Sequence, residues 1–149
     1  MGEVAEVFGL HGPVPVENWQ QFVLAGRAVF TVENRQTGNR FTFRARRHED
    51  KDLWFIAVLA GPDNEHDYTY GGPVFGDQFR RTRASKVGEE APSFQVFAWL
   101  MRLLGAGKDL PTPVKFYHEG QCGRCGKRLT VPESVRTGYG PGCWPRMHG

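Results

Sequence analysis

The stretch RAVFTVENRQTGNRFTFRAR, residues 27–46, contains two segments in which apolar and polar side chains alternate, joined by a turn rich in Asn, Thr and Gly. Alternation with a period of two is typical of a strand with one buried face, and a short Gly-containing turn between two such runs predicts a β-hairpin. Phe30 and Val32 can then share one face with Phe41 and Phe43. We therefore expect an antiparallel sheet that begins with this hairpin.

The opposite face of the predicted hairpin is basic. Alternation along the second strand places four polar side chains together on the side away from the phenylalanines, namely Arg40, Thr42, Arg44 and Arg46. Exposed arginines in a row are suited to phosphate groups. Arg40, Arg44 and Arg46 are therefore candidate contacts for nucleic acid.

Two further strands follow from the pattern. DLWFIAVLAG, residues 52–61, is a continuous apolar run that stops at Gly-Pro, which predicts a central strand buried on both sides. YTYGGPVF, residues 68–75, predicts one more strand that ends at Pro73. GAGKDLPTP, residues 105–113, is expected to be a linker because of its Gly and Pro content.

PSFQVFAWLMRLLG, residues 92–105, has the pattern of a helix. Ser93 can cap its first turn after Pro92, and Gly105 can close its last. Helical spacing places Trp99 on the face that should be solvated, so either another part of the chain or a partner covers it, and we prefer the first. The expected fold class is α+β, with a mainly antiparallel sheet of about four or five strands and one buried helix.

The C-terminal part is expected to form a separate small unit. We divide the chain into a strand-rich α+β domain, residues 1–114, and a zinc-binding module, residues 115–149. The module is expected to be a treble-clef-like zinc knuckle docked on the sheet near Trp99.

Composition limits the class of protein. No apolar run among the 149 residues approaches the length of a membrane span, and the N-terminus lacks the basic and then apolar pattern of a signal peptide. An odd number of cysteines, three, suits a reduced metal site better than a set of disulfides. We therefore expect a cytoplasmic protein with no membrane partner.

Basic charge is concentrated near the C-terminus. The formal net charge is +3, and residues 115–149 carry six Lys or Arg against two Glu. Such a bias suits a polyanionic partner, and it suits plain solubility equally well.

All three cysteines lie between residues 122 and 143. Cys122 and Cys125 form a C-x-x-C knuckle with a glycine after each, and Cys143 follows after a spacer of hairpin size. Thiolates at this spacing can converge on one ion, and a closed set of four ligands around zinc is structural. Zinc is therefore the expected cofactor.

Two histidines compete for the fourth ligand position. His118 lies at the end of a predicted strand that leads into the knuckle, whereas His148 lies one helical turn after Cys143 and next to the end of the sequence. Because terminal residues fray, we prefer His118 and keep His148 as the alternative.

The run from His118 to Cys143 resembles an uncharacterised zinc-binding module of actinobacterial and actinophage proteins. The shared pattern is H-E-G-x-C-x-x-C-G-[KR]-x-L-T-x-P-x-S-[VI]-x-x-G-[IY]-G-P-x-C. The resemblance implies zinc and a phage-type setting, and it favours His118, which belongs to the pattern, over His148, which does not. It implies no activity.

Two functions remain open at this level. Arg124, Lys127 and Arg128, with Tyr139 and Trp144 nearby, suit a nucleic-acid contact in which bases stack on aromatic rings. The alternative is an interaction module that binds and modulates a host protein machine, anchored by Trp99, Trp144 or the zinc tip.

Catalysis is not indicated. No nucleophile motif, phosphate-binding loop or small-molecule site is evident in the sequence, so we expect no enzyme. The weakest hypothesis is a metal-dependent hydrolase that uses the acidic loop at residues 63–67, which is more simply a solvated loop.

Overall fold

The computed structural model describes residues 14–16, 18–63, 66–76 and 78–148, and for His148 only the backbone. The strands of the described residues are β1 (Val14–Pro15), β2 (Arg27–Asn34), β3 (Arg40–Arg47), β4 (Leu53–Leu59), β5 (Tyr68–Phe75), β6 (Gln78–Phe79) and β7 (Val114–His118). The helices are α1 (Trp19–Val23), α2 (Pro92–Ala106), α3 (Pro132–Thr137) and α4 (Trp144–His148).

The strands form one antiparallel sheet in the order β1-β7-β2-β3-β4-β5-β6. The predicted hairpin is confirmed, since Phe30 pairs with Phe43 and Val32 with Phe41. The sheet has more strands than we predicted, because β1 and β6 are two residues long and too short for a periodic signal, and because β7 joins the sheet beside β2. The arrangement is compatible with the α+β prediction; a treble-clef form and the domain boundary remain predictions.

Strand β4 lies inside the sheet, between β3 and β5, as expected. The prediction that it is buried on both sides is wrong, because Phe55 keeps 41% of its surface exposed. The prediction that Pro73 ends the next strand is also wrong. Strand β5 continues to Phe75, and Pro73 pairs with Phe55.

Helix α2 packs on the inner face of the sheet. The Phe97 ring lies 5.3 Å from that of Phe43 and 6.3 Å from that of Phe30. The helix begins at Pro92, which needs no amide partner in the first turn, and Ala91 rather than Ser93 is its N-cap. It ends at Gly107, not Gly105, since Gly107 has the left-handed conformation (φ 66°) of a C-cap.

Trp99 is half-buried against the core, as predicted, but the cysteine segment does not cover it. Trp99 instead lines an open groove together with Pro111, Pro113 and Val114. The expectation that Trp99 marks the docking surface of the zinc module is therefore wrong.

Helix α1 connects the sheet to the cysteine segment on the inner face. The ring of Phe22 lies 6.0 Å from that of Phe116 on β7 and 5.7 Å from that of Tyr139. A Cβ atom added at Gly123 would lie 2.5 Å from the Phe22 ring, so the knuckle packs directly on α1. In the part of the chain that the structure describes, no helix is long and apolar enough to cross a membrane.

Candidate functional site

Cys122, Cys125 and Cys143 lie close together and could hold a metal ion. Their sulfur atoms all lie within 4.8 Å of one another. Two sulfurs bound tetrahedrally to one zinc ion would be roughly 3.8 Å apart, given a Zn–S bond of about 2.3 Å. Cys122 and Cys143 are buried, and Cys125 is exposed. Three thiol groups that converge on one point form a set of ligands that suits a thiophilic metal.

The knuckle depends on its glycines. Gly126 has a φ of 80° and donates its amide to the Cys122 carbonyl at 2.9 Å, which turns the chain back on itself. The amide of Cys122 then donates to the Lys127 carbonyl at 2.7 Å. Cys143 comes to the same point from the turn before α4, where its amide donates to the Gly140 carbonyl.

Hydrogen bonds around the sulfurs favour the thiolate at one cysteine. Burial raises the pKa of the Cys122 thiol, but backbone hydrogen bonds from Cys125, Gly140 and Arg124 outweigh burial and lower the pKa overall. At Cys125, burial and the neighbouring thiols raise the pKa. The Arg124 guanidinium also donates to the Cys143 sulfur at 3.5 Å. Of the three sulfurs, that of Cys122 is therefore the one whose thiolate the surrounding backbone amides favour.

His118 is not a member of the cluster, which differs from our preferred assignment. Its side chain is fully buried, and both ring nitrogens are occupied. The Gly120 amide donates to Nδ1 at 3.0 Å, so the proton is on Nε2, which donates to the Val135 carbonyl at 2.5 Å. A ligand nitrogen needs a free lone pair, and neither nitrogen has one in this arrangement. Rotation of the His118 ring to free a nitrogen for a metal would break both of these hydrogen bonds.

The other histidine candidate is His148, whose side chain lies outside the described residues. Its backbone belongs to α4, the helix that begins next to Cys143. The fourth ligand position is thus not assigned by the geometry.

The arginines of β3 lie on the outer face of the sheet, opposite α2, as predicted. Arg40 and Arg46 are exposed, and the Arg44 guanidinium lies 4.4 Å above the centre of the Tyr68 ring. Burial and the like charge of Arg46 lower the pKa of Arg44. Among the described residues, none of the ion pairs involves Arg40, Arg44 or Arg46. An anionic ligand would relieve this repulsion.

Arg27 connects the outer face of the sheet to the knuckle, and the sequence did not identify it as a candidate site residue. Arg27 pairs with Arg46 across β2 and β3, and its amide donates to the Gly123 carbonyl at 2.9 Å. A Cβ atom at Gly126 would lie 3.2 Å from Arg27 Cδ, so the Arg27 side chain runs against the knuckle. The alternation along β2 could have identified Arg27, because Arg27 and Thr31 are four residues apart and therefore lie on the same face of the strand.

The basic residues of the knuckle border a concave surface of their own. Arg124, Lys127, Arg128 and Arg146 line a depression of about 450 Å³ beside the cysteines. We call the connected set of Arg46, Arg27, Lys127 and Arg124 the basic path. The two groups of basic residues predicted from sequence thus meet at Arg27.

The aromatic residues predicted beside the knuckle have different roles from those expected. Tyr139 is only 3% exposed and packs on Phe22, so it offers no surface for a base. Burial raises its pKa strongly. Trp144 is half-buried, with its ring 6.3 Å from that of Tyr139.

The acidic loop is held by its own hydrogen bonds. The Asp67 carboxylate accepts the Asp63 amide at 2.8 Å, and the Asp63 carboxylate lies 2.9 Å from the His66 ring. Asn64 and Glu65 lie outside the described residues. Over the described ranges, the three cysteines are the group of side chains placed to hold a metal.

The cysteine segment is similar to a known but uncharacterised module. Residues 113–148 match the model of a family of unknown function, DUF6011. The match covers β7, the knuckle, α3 and α4, and it agrees with the uncharacterised module that the sequence pattern resembles. No curated protein matches this chain, and no solved structure does. The family match therefore concerns the segment that contains the three cysteines.

Proposed function

We propose that this chain is a small zinc-binding accessory protein, of phage type, that binds nucleic acid. Zinc joins Cys122, Cys125 and Cys143 and fixes the knuckle against α1 and β2. Three thiolates with hydrogen-bonded sulfurs prefer zinc among the divalent ions that lack redox chemistry. When bound, the ion has a structural role, because it ties together segments too short to form a core of their own.

The observation that carries the nucleic-acid proposal is the position of Arg27 between Arg46 and Gly126. Like charges directly opposite each other on neighbouring strands are destabilising, so the Arg27–Arg46 pair weakens the free protein. Phosphate groups would remove that cost, and the path continues to Lys127 and Arg124 with no acidic side chain among the residues that line the depression.

The proposal is tested by fluorescence anisotropy with zinc-loaded protein and a labelled oligonucleotide. Arg46→Gln and Lys127→Gln should each weaken binding several-fold at about 50 mM salt, because each removes one phosphate contact. Lys108→Gln is the matched control, since it removes the same charge from the exposed linker after α2. Equal losses in all three variants would indicate nonspecific attraction to net charge and would contradict a defined path.

The second candidate is binding of a host protein, and one observation favours it. A groove of about 420 Å³ lies between α2 and the β2–β3 hairpin, lined mainly by apolar groups such as Val96, Trp99 and Pro113. A Trp in an accessible apolar groove is a common anchor residue. A stoichiometric partner captured by the wild-type protein and lost with Trp99→Ala would support this candidate, whereas capture that survives Trp99→Ala would exclude the groove.

A further inference from the structure

The outer face of the sheet carries aromatic rings that the hydrophobic core does not use. Phe55 is 41% exposed and Phe75 is 56% exposed, and they are the two phenylalanines of the described residues with large exposed surfaces. The Tyr70 ring lies 6.4 Å from that of Phe55. We call Phe55, Tyr70 and Phe75 the aromatic surface.

The aromatic surface belongs to the same face as the basic residues of β3. Phe55 is the cross-strand partner of Arg46, and Ala57 pairs with both Arg44 and Tyr70. Phe75 pairs with Leu53, which places it diagonally next to Phe55. The arginines of β2 and β3 therefore lie beside the flat rings of β4 and β5 on one face, and arginines suit phosphates whereas rings suit bases.

Phe55 and Phe75 are exposed at diagonal positions on one face, beside Tyr70, and an exposed apolar patch marks an interaction site more often than a single exposed side chain does. The inner face already has its own core around Phe30, Phe43 and Phe97. In the described chain, α1, α2 and the knuckle all lie on that inner side. Among the described residues, no helix lies on the outer face over β3–β5, where Arg46, Phe55 and Phe75 are exposed.

The class of ligand follows from which parts of a nucleic acid an exposed phenyl ring can contact. In a duplex, bases are stacked inside and the accessible surface is the sugar-phosphate backbone, so exposed phenyl rings gain little there. In a single strand, bases can turn outward and stack on aromatic side chains while the backbone follows basic residues.

We propose that the outer face is a single-strand-binding surface, in which bases stack on Phe55 and Phe75 while phosphates follow Arg44, Arg46 and Arg27 toward the knuckle. This rests on the proposed nucleic-acid function and adds the form of the ligand and the site of the bases. The Arg44 guanidinium lies over the Tyr68 ring of β5, so Arg44 borders the bound nucleic-acid strand on the side nearer β5.

The test compares one labelled single strand with the same sequence as a duplex, using zinc-loaded protein in fluorescence anisotropy. We expect the single strand to bind at least about 10-fold more tightly. Phe55→Leu and Phe75→Leu keep an apolar side chain but remove the flat ring, and each should weaken single-strand binding about 5- to 50-fold without changing the salt dependence. Phe55→Tyr keeps the flat ring and should retain most of the affinity of the wild-type protein for the single strand.

The outcomes separate the two proposals. Duplex binding as tight as single-strand binding, with no effect of the leucine variants, would overturn the single-strand surface and leave nucleic-acid binding intact. A loss in Phe55→Leu that Phe55→Tyr does not rescue would also overturn base stacking. No binding of either form at low salt would overturn the proposed function itself. Both phenylalanines are exposed, so circular dichroism should show unchanged folding in every variant.

Discussion

His118 joins strand β7 to helix α3 through Val135. The His118 Nε2–H donates to the Val135 carbonyl at 2.5 Å, and Nδ1 accepts the Gly120 amide at 3.0 Å. One buried ring thus satisfies two backbone groups from segments on either side of the knuckle. Its position in the C-terminal sequence pattern is explained by this bridge without metal ligation.

Replacing His118 with Ala should destabilise the fold while leaving the metal stoichiometry unchanged. The variant leaves two buried backbone groups without partners, at about 1–3 kcal/mol each, so we expect a loss of about 2–5 kcal/mol in the free energy of unfolding. Urea denaturation measures the loss, and metal analysis of folded protein at low temperature measures the stoichiometry. A folded His118→Ala protein that binds no zinc would show that the ring rotates and ligates the ion.

The pH dependence of stability should contain a contribution from His118. Burial lowers the pKa of this histidine below its ordinary value of 6.5, so the folded state resists protonation that the unfolded state accepts. Between the two pKa values the unfolded chain binds more protons, and stability therefore falls as the pH drops below about 6.5. His118→Gln should show a smaller fall between pH 7 and 5 than the wild type. Equal falls in both proteins would contradict a buried neutral histidine.

Much of this arrangement could be predicted from the sequence, and the exceptions have physical reasons. Alternation identified the β2–β3 hairpin because apolar and polar residues alternate along both strands, even though Val29 and Thr31 on the outer face of β2 are also buried. Alternation could not predict the exposure of Phe55, because a strand with apolar residues on both faces has no alternation that indicates which face is exposed to solvent. The spacing of the cysteines predicted their convergence, since two residues between thiols leave few other geometries.

The role of His118 could not be predicted in the same way. A histidine near a knuckle has the same sequence signature whether it ligates an ion or bridges backbone groups, and only the positions of Gly120 and Val135 distinguish the two. Alternation places Arg27 on the outer face of β2, but its contact with Gly126 joins residues far apart in the chain, and no local pattern predicts that contact.

Removing the metal should unfold the knuckle before the sheet. The proposed ion would tie the knuckle to the turn before α4, so Cys143→Ser, or chelation of the wild-type protein, should loosen this segment, whereas β2–β5 keep their hydrogen bonds and their core with α2. Hydrogen exchange should show lost protection in residues 120–147 and retained protection in β3 and β4. Uniform loss of protection over the whole chain would contradict this order.

Gly26 tests the contact between the knuckle and β2. Its φ is 148°, and a Cβ atom there would lie 2.5 Å from the Arg124 carbonyl oxygen. Gly26→Ala should therefore cost about 2–3 kcal/mol of stability and weaken metal retention, because the knuckle must move away. Gly38→Ala is the matched control: φ is 80° but no atom lies within 4 Å, so we expect about 1 kcal/mol. Equal costs would mean that the contact is not tight.

The salt dependence of nucleic-acid binding tests the basic path most directly. The measurement is the affinity of zinc-loaded protein for a labelled single strand over a range of salt concentrations from about 50 to 200 mM. With about four phosphates neutralised by the path, the slope of log K against log salt should be about −3. No binding at the lowest salt, or binding with a slope near zero, would contradict the account.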